Sequence, residues 1–371
     1  MLNNFLYKLQ INNYKVSKLW KHKRVTGTPK LTARLRRIKI LSFILLPFML
    51  FLPIAAISLA VILLSPIEFL IKRHYLQKAV KILDKRPNLI RIGITGSFGK
   101  TSCKNILNQI LSSQYTVTAS RESFNTPMGF AKTVNEDLKP DTEILIMEMG
   151  AKHIGDIRQL CKLLRPDYGI ITGIGPQHLE TFQTLENIRK TKYEIASFCP
   201  IIDNPTKEVF NTTLLGRHNQ KNISLCAELA RKLYVTEDNI LSAIRNLRQT
   251  PHRLELIQLP NDKKIIDDSY NSNPVSAMAA LDVLSTFNGI KLVQTPGFVE
   301  QGENAYNANR ELGKQIADVT DNLIIVGELN KTAIADGFGK KYMYAKNRDE
   351  AKRYYEDFDV LLIVNDIPDN Y

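Results

Sequence analysis

The longest feature in the hydrophobic pattern is an apolar run from Ile40 to Ile67 that carries no charged side chain and is dominated by Leu, Ile, Phe and Val. Its 28 residues exceed the roughly 20 that a helix needs to cross a bilayer. The run is too long, begins too late and lacks the small-residue cleavage site of a secretory signal. Helices of soluble domains seldom stay apolar on every face, so the run predicts a membrane segment. Beyond it the pattern changes to short apolar runs alternating with amphipathic stretches. Leu89–Thr95 reads as a buried strand followed by a helix over Lys100–Leu111, and Glu143–Met147 as the next strand. Asn219–Leu233 has the spacing of an amphipathic helix. Further strands are expected at Ile265–Ile266, Lys291–Val293, Leu323–Val326 and Val360–Val364, with helices near Pro274–Phe287, Asn307–Val319 and Arg348–Phe358.

Alternating strand and helix predicts an α/β protein with parallel sheets. The 371 residues suffice for two folded domains and an appendage. The expected division is a basic membrane-anchoring region at 1–88, a P-loop-type parallel-sheet domain at 89–250, and a smaller Rossmann-like domain at 251–371. No internal repeat or low-complexity stretch interrupts them.

The formal charge of +13 belongs almost entirely to the first region. Up to Arg86 there are seventeen Lys and Arg against two acids, Glu68 and Asp84, whereas the rest has thirty-three basic and thirty-five acidic residues. Basic residues beside an apolar run face anionic lipid and the cytoplasm. No aromatic-rich basic motif accompanies them, which argues against a nucleic-acid partner. Cys103, Cys161, Cys199 and Cys226 are scattered without a CxxC pair. That usage suits a reducing compartment and neither a zinc ribbon nor a disulfide framework.

Both flanks of the apolar run are basic, from Lys8 to Lys39 before it and from Lys72 to Arg86 after it. Pro47 and Pro53 offer breaks at which the run would turn back as a re-entrant hairpin, keeping both flanks cytoplasmic. A single span with the opposite orientation is the rival arrangement. The residues before about position 30, with Phe5, Leu9, Ile11, Tyr14, Val16, Leu19 and Trp20 among lysines, suit either an amphipathic surface helix or a basic tail.

The chemistry is concentrated at Thr95-Gly-Ser-Phe-Gly-Lys-Thr-Ser102, between a strand and a helix. A glycine-containing turn at a helix start aims backbone N–H groups at an anion, the Lys reaches outer phosphates and the hydroxyl holds Mg²⁺. The common GxxxxGK[ST] spacing is not met, because Ile94 stands five before Gly99 and the glycines are Gly93 and Gly96. The site is nevertheless read as phosphate-binding, through Thr95, Gly96, Ser97, Gly99, Lys100, Thr101 and Ser102.

Gly93-Ile-Thr-Gly-Ser-Phe-Gly-Lys-Thr-Ser102 resembles the ATP loop of the Mur ligases, and six further segments resemble that family's motifs in order: Asn125–Gly129, Glu148–Ala151, Ile171–Glu180, Lys190–Ile195, Leu215–Asn222 and Asp267–Pro274. The resemblance covers about residues 90–371. It implies an ATP-dependent amide ligase that turns a carboxylate into an acyl phosphate and lets an amine attack it. It implies ATP and two Mg²⁺ ions as cofactors, with Lys100 on the outer phosphates and Thr101, Glu148, His178 and Lys192 around the metals. Lys192 corresponds to a lysine that many Mur ligases carbamylate; the residues alone would make it a partly exposed lysine on a helix surface. Asn125 and Thr126 fall in the substrate-side loop. His218 and Asn219 fall on the adenine side. Arg253 stands where the family has an interdomain arginine, and Asp268, Tyr270, Asn271 and Asn273 would close over the nucleotide.

Two departures stand out. The family's usual N-terminal domain, which grips the uridine diphosphate end of the precursor, has no counterpart in residues 1–90. Only Pro200 to Phe210 separates the lysine motif from the adenine motif, where the family has several more strands. The expected partners are a nucleotide- or lipid-linked peptidoglycan precursor, an amino acid or dipeptide, and membrane lipid, with the catalytic domains on the cytoplasmic side. Two other readings remain at this point: a membrane-tethered, non-catalytic nucleotide-binding module that regulates cell-wall enzymes, and a membrane ATPase of another P-loop family.

Overall fold

The structure, a computed structural model, describes residues 2–11, 14, 16, 19, 29–45, 53–121, 124–176, 179–270, 273–299 and 301–365. His178 and Asn271 lie outside the described residues. The chain separates into two units, one up to Gln77 and one from Lys78 onward.

In the first unit the helices are Leu2–Ile11 (α1), Ala33–Leu45 (α2) and Pro53–Asp84 (α3), the last continuing into the second unit. The apolar run is thus shared by two helices. Proline lacks the N–H that an interior helical position supplies, and α3 accordingly begins at Pro53. Residues 46–52, with Pro47, lie outside the described residues. Leu6, Leu9, Leu35, Ile38, Ile57 and Val61 are among the residues of one buried cluster that joins the three helices. Among the described residues one helix, Ile54–Asp84, is long and apolar enough to cross a membrane.

The second unit contains two sheets. The first is built from Ile90–Thr95 (β1), Val117–Ala119 (β2), Ile144–Glu148 (β3), Tyr168–Ile171 (β4) and Ile201–Ile202 (β5) in the order β2-β3-β1-β4-β5. All of its pairings are parallel. Its helices are Lys100–Leu111 (α4), Pro127–Lys132 (α5), Asp156–Leu164 (α6), Leu179–Phe182 (α7), Leu185–Tyr193 (α8), Arg217–Lys232 (α9) and Glu237–Arg245 (α10). A parallel sheet covered on both faces needs strands apolar on both sides, and β3 is buried at every position. Ile92, Ile94, Ile106, Ile146, Ile223 and Leu229 belong to the core that joins β1 and β3 to α4 and α9. Because β3 and β4 flank β1, the chain reverses direction across the sheet there, and the crevice at such a switch point receives ligands.

The second sheet comprises Glu255–Gln258 (β6), Lys264–Asp268 (β7), Lys291–Thr295 (β8), Leu323–Val326 (β9), Met343–Ala345 (β10) and Val360–Val364 (β11). Its order is β10-β9-β8-β11-β7-β6, with only β6 antiparallel. Pro274–Ser285 (α11), Ala305–Ala317 (α12), Lys331–Phe338 (α13) and Arg348–Ala351 (α14) accompany it. The α/β architecture with a second, Rossmann-like sheet is as the sequence predicts.

One expected helix is cut short. Instead of Arg348–Phe358, α14 ends at Ala351 and a 3₁₀ turn follows over Lys352–Tyr354. Tertiary partners take the aromatic residues out of helical register: Tyr354 donates to the Tyr344 carbonyl, Tyr355 to Gln294 Oε1, and Tyr355 meets Phe358 edge to face.

Candidate active site

The loop after β1 is shaped by two glycines. Gly96 has φ +148°, and a Cβ there would lie 2.0 Å from Thr172 Oγ1. Gly99, at φ +79°, precedes α4 and provides no side-chain cap. No side-chain cap therefore occupies the first N–H groups of α4, and the positive end of a helix favours an anion. Gly173 anchors the loop by accepting from Ser97 N at 2.8 Å. Two hydroxyls here, Thr95 Oγ1 at the end of β1 and Ser97 Oγ in the loop, are buried without a hydrogen-bond partner. Buried polar atoms are ordinarily paired, so these two fit a ligand that accepts hydrogen bonds.

Charge converges at the same edge. Lys100 Nζ donates to the carbonyls of Gly96 and Ser97, at 2.9 and 3.1 Å. Burial lowers the Lys100 pKa; Glu148 opposes that shift and the charge of Arg253 adds to it. Thr101 Oγ1 donates to Glu148 Oε2 at 2.8 Å, and Asn125 Nδ2 donates to Glu148 Oε1 at 3.0 Å. Glu148, the last residue of β3, is 2% exposed. Thr101 of α4 and Asn125 are thus gathered on one carboxylate, the chemistry expected of a hard, oxygen-bound cation such as Mg²⁺.

Lys192 corrects an expectation. It lies on α8 as foreseen, but it is 2% exposed instead of on a helix surface. Burial, followed by the charge of Lys100, lowers its pKa from 10.5 to about 7, while Asp156 and Glu148 pull the other way. A lysine so placed is largely neutral in mildly basic solution, and a neutral amine is the form that reacts with electrophiles.

Arg253 reaches this cluster from the second sheet's side. His252 and Leu254, which flank it, both adopt left-handed backbone, with φ +60° and +48°. For residues with a Cβ such geometry persists only where surrounding contacts impose it. His252 Nδ1 lies 2.8 Å from Asp267 Oδ2, and Leu254 N donates to Asp268 Oδ1 at 3.2 Å. The Arg253 guanidinium sits over the Tyr270 ring, 4.5 Å from its centroid. Burial lowers the Arg253 pKa, with Asp268, Tyr270 and Glu148 opposing. Burial raises Asp268 from 3.8 to about 7, against the pull of Arg253.

At the start of α9, Asn219 Nδ2 donates to the Leu215 carbonyl at 2.7 Å, leaving its Oδ1 unpaired along with His218 Nδ1. Burial lowers the His218 pKa to about 4, so its ring is neutral. An unpaired amide oxygen and a neutral imidazole can read the polar edge of a base. A Cβ on Gly99 would lie 3.0 Å from Asn222 Oδ1, which places the loop after β1 against this helix.

Two of the expected contact residues have structural work. Thr126 caps α5 by accepting from Gly129 N at 3.2 Å. Asn273 Oδ1 caps α11, accepting from Val275 N and Ser276 N at 3.0 Å each. Ser102 lies in the first turn of α4. The sequence reading missed Lys104, whose ammonium lies 3.8 Å from Glu148 Oε2 with both side chains buried. Its position one helical turn after Lys100 puts it on the same face of α4, a signal available in the sequence. Ser120, which accepts from Glu148 N at 3.2 Å, carried no such signal.

Residues 94–205 match the Mur ligase middle domain, and residues 252–364 match the Mur ligase glutamate ligase domain. The chain belongs to the Mur ligases. Among curated proteins, it is 27% identical over 324 residues to the UDP-N-acetylmuramoyl-tripeptide--D-alanyl-D-alanine ligase of Bacillus subtilis, covering 74% of this chain and 70% of that one. The Escherichia coli protein of the same name is 26% identical over 306 residues, 68% of each chain. Among solved structures, MurF from Acinetobacter baumannii aligns with a TM-score of 0.70 at 23% identity, over 79% of this chain and 77% of that one. The Thermotoga maritima MurF ligase in complex with ADP aligns with a TM-score of 0.70 at 24% identity, over 80% of each chain. This Mur ligase shares their fold.

Proposed function

We propose that this Mur ligase uses ATP to join an amino acid or a dipeptide of the D-alanyl-D-alanine type to the carboxylate of a peptidoglycan precursor. The observation that carries the reading is the meeting of Lys100, Thr101, Glu148 and Arg253, drawn from both sheets, around buried hydroxyls that lack partners. A carboxylate oxygen of the precursor attacks the γ-phosphorus of ATP and ADP departs. The amine then attacks the acyl carbon, loses a proton, and inorganic phosphate leaves.

Lys100 and Arg253 offset the charge of the phosphates and the acyl phosphate oxygens. Thr95 and Ser97 add hydroxyl donors, while Asn219 and His218 hold the adenine. Thr101 and Glu148 would hold one Mg²⁺, and carbamylated Lys192 with His178 a second; the metals supply charge neutralisation and alignment of the reacting oxygens. Arg253, on its constrained segment, contributes only when the second domain sits over the first, and Tyr270 and Asp268 keep its guanidinium in place. Such closure excludes water from the acyl phosphate.

The N-terminal unit, with its basic flanks and apolar helices, would hold the enzyme on a membrane with its ATP site in the cytoplasm. A lipid-linked precursor would suit that location. The test is to supply purified full-length protein with ATP, Mg²⁺, D-alanyl-D-alanine and either UDP-linked or lipid-linked muramoyl-tripeptide, following phosphate and product mass. Phosphate release that requires an acceptor, together with a product gaining the dipeptide less one water, is the expected result. Release indifferent to every acceptor would overturn the reading.

A further inference from the structure

Arg37 and Glu68 are 31 positions apart, yet Arg37 Nη2 lies 2.6 Å from Glu68 Oε1 and Arg37 Nε donates to the same oxygen at 2.8 Å. Arg34 Nε stands 4.0 Å from Glu68 Oε2. In one uninterrupted helix, residues so spaced would be about 46 Å apart, at ~1.5 Å per residue. The two arms of the apolar run therefore fold back on each other. Side chains agree with the ion pair: Leu35 and Ile38 of α2 share a buried cluster with Ile57, Ala60 and Val61 of α3, and Leu41, Leu45, Ile54 and Leu64 pack against it.

The outer face is as telling as the inner one. Ile40, Phe43 and Ile44 on α2 and Ile62, Leu63 and Ile67 on α3 are each at least half exposed. Soluble surfaces seldom leave so many large apolar groups together in water. The charge-free part of α3, from Pro53 to Ile67, is about 22 Å long by its helical rise, short of the roughly 30 Å of a bilayer's hydrocarbon core; α3 reaches the length of a span only by running on past Glu68. Charge returns on both arms at one level, at Arg37 and Lys39 on one and at Glu68, Lys72 and Arg73 on the other.

We propose that the two arms of the apolar run, residues 40–45 and 53–67, pack as a hairpin that enters one leaflet of an anionic bilayer and leaves by the face it entered, with the Arg37–Glu68 pair at its base. This deepens the membrane reading above, on which it rests, and is independent of the ligase activity. A bilayer with anionic headgroups is the occupant that fits. The apolar outer face meets acyl chains, and the basic residues next to the arms, Arg34, Arg37 and Lys39 before them and Lys72 and Arg73 after them, meet the headgroups of one face. A single span would carry one of those basic flanks across. The ion pair removes the cost of Glu68 beside hydrocarbon, since a lone carboxylate there would have no partner.

The experiment uses the full-length protein in two measurements. In flotation, the protein is expected to rise with phosphatidylcholine vesicles containing about a third phosphatidylglycerol, with binding about ten-fold tighter than to pure phosphatidylcholine. In labelling, Lys30→Cys and Lys72→Cys are placed separately in a Cys199→Ala background and treated with a membrane-impermeant maleimide on sealed right-side-out and inverted membranes. Both reporters are expected to react from the inner face. Failure to float would overturn the membrane reading and the hairpin with it, including the case in which a soluble dimer buries the apolar face. Flotation with the reporters on opposite faces would leave the membrane reading standing and overturn the hairpin. Arg37→Glu is expected to impair one-face labelling, and the double variant Arg37→Glu/Glu68→Arg to restore it; a double variant no better than the single would remove the pair from the argument and overturn its assigned place.

Discussion

The hydroxyl of Thr101 donates to Glu148 Oε2 across 2.8 Å. The two side chains come from separate elements at the same edge of the first sheet, one from the first turn of α4 and one from the last position of β3. Thr101→Val keeps the shape and removes the hydroxyl. A neutral hydrogen bond contributes about 1 kcal/mol to stability, and one to a charged group about 1.5–3 kcal/mol, so the variant should fold with a modestly reduced Tm. Its turnover should fall at least about 100-fold, the scale on which loss of one charge-stabilising group is felt. Near-normal turnover at ordinary Mg²⁺ would exclude Thr101 from the site; calorimetry and a phosphate-release assay decide.

Lys104 is the second cation on Glu148, with both side chains buried. Removing one partner of a buried pair typically costs about 3–5 kcal/mol because the other charge is left uncompensated. Lys104→Met should therefore lower thermal stability substantially. Added Mg²⁺ should recover part of the loss and raise the Tm of the variant more than that of the wild type. Equal Mg²⁺ shifts in the two proteins would show that no divalent ion approaches Glu148.

Lys192 lies 2% exposed, with its pKa lowered to about 7, so it is no longer a surface position whose substitution is nearly neutral. Between pH 7 and 10.5 the unfolded chain holds a proton that the folded one gives up, so this group's contribution to stability rises with pH and its cost is full below about 7. In CO₂-depleted buffer Lys192→Met should melt higher than wild type near pH 7, the gap closing towards pH 10. Its ligase activity should be lost and partly restored by short carboxylic acids. Lys192→Arg should stay inactive, because a guanidinium remains positive. An active Lys192→Arg enzyme would refute the carbamate.

Asp268, raised to about 7 by burial, works in the opposite direction. Its folded form keeps a proton between pH 3.8 and 7 that the unfolded form releases, so stability is lost as pH rises through that window. Asp268→Asn preserves an oxygen for the Leu254 amide while avoiding the buried charge. The variant should be more stable than wild type at pH 8 and indistinguishable from it near pH 4. Turnover should drop, since the Arg253 guanidinium loses its anionic partner. A variant that is both less stable at pH 8 and fully active would contradict the placement.

Most of the central strands are legible in the order of residues; β4, Tyr168–Ile171, is not among those expected. β9 and β11 coincide with the apolar runs Leu323–Val326 and Val360–Val364, because a strand covered on both faces must be apolar at successive positions. The strands β2, β5, β6 and β10 are not. Each is a sheet edge of two to four residues, and so short a segment has no periodicity of its own; pairing with a neighbour makes it a strand. The phosphate loop is legible for a local reason, since a glycine turn, a lysine and a hydroxyl at the start of a helix act through adjacent backbone.

What the sequence by itself determined was therefore whatever depends on neighbours along the chain: the α/β alternation, α4 from Lys100 to Leu111, the apolar run and its basic flanks. Only the tertiary structure decided which distant groups share a dielectric environment. It buried Lys192 beside Lys100, set Lys104 against Glu148, and closed Arg37 onto Glu68 across 31 positions. Charge interactions depend on separation in space and on exclusion of water, and neither quantity is written in the order of residues.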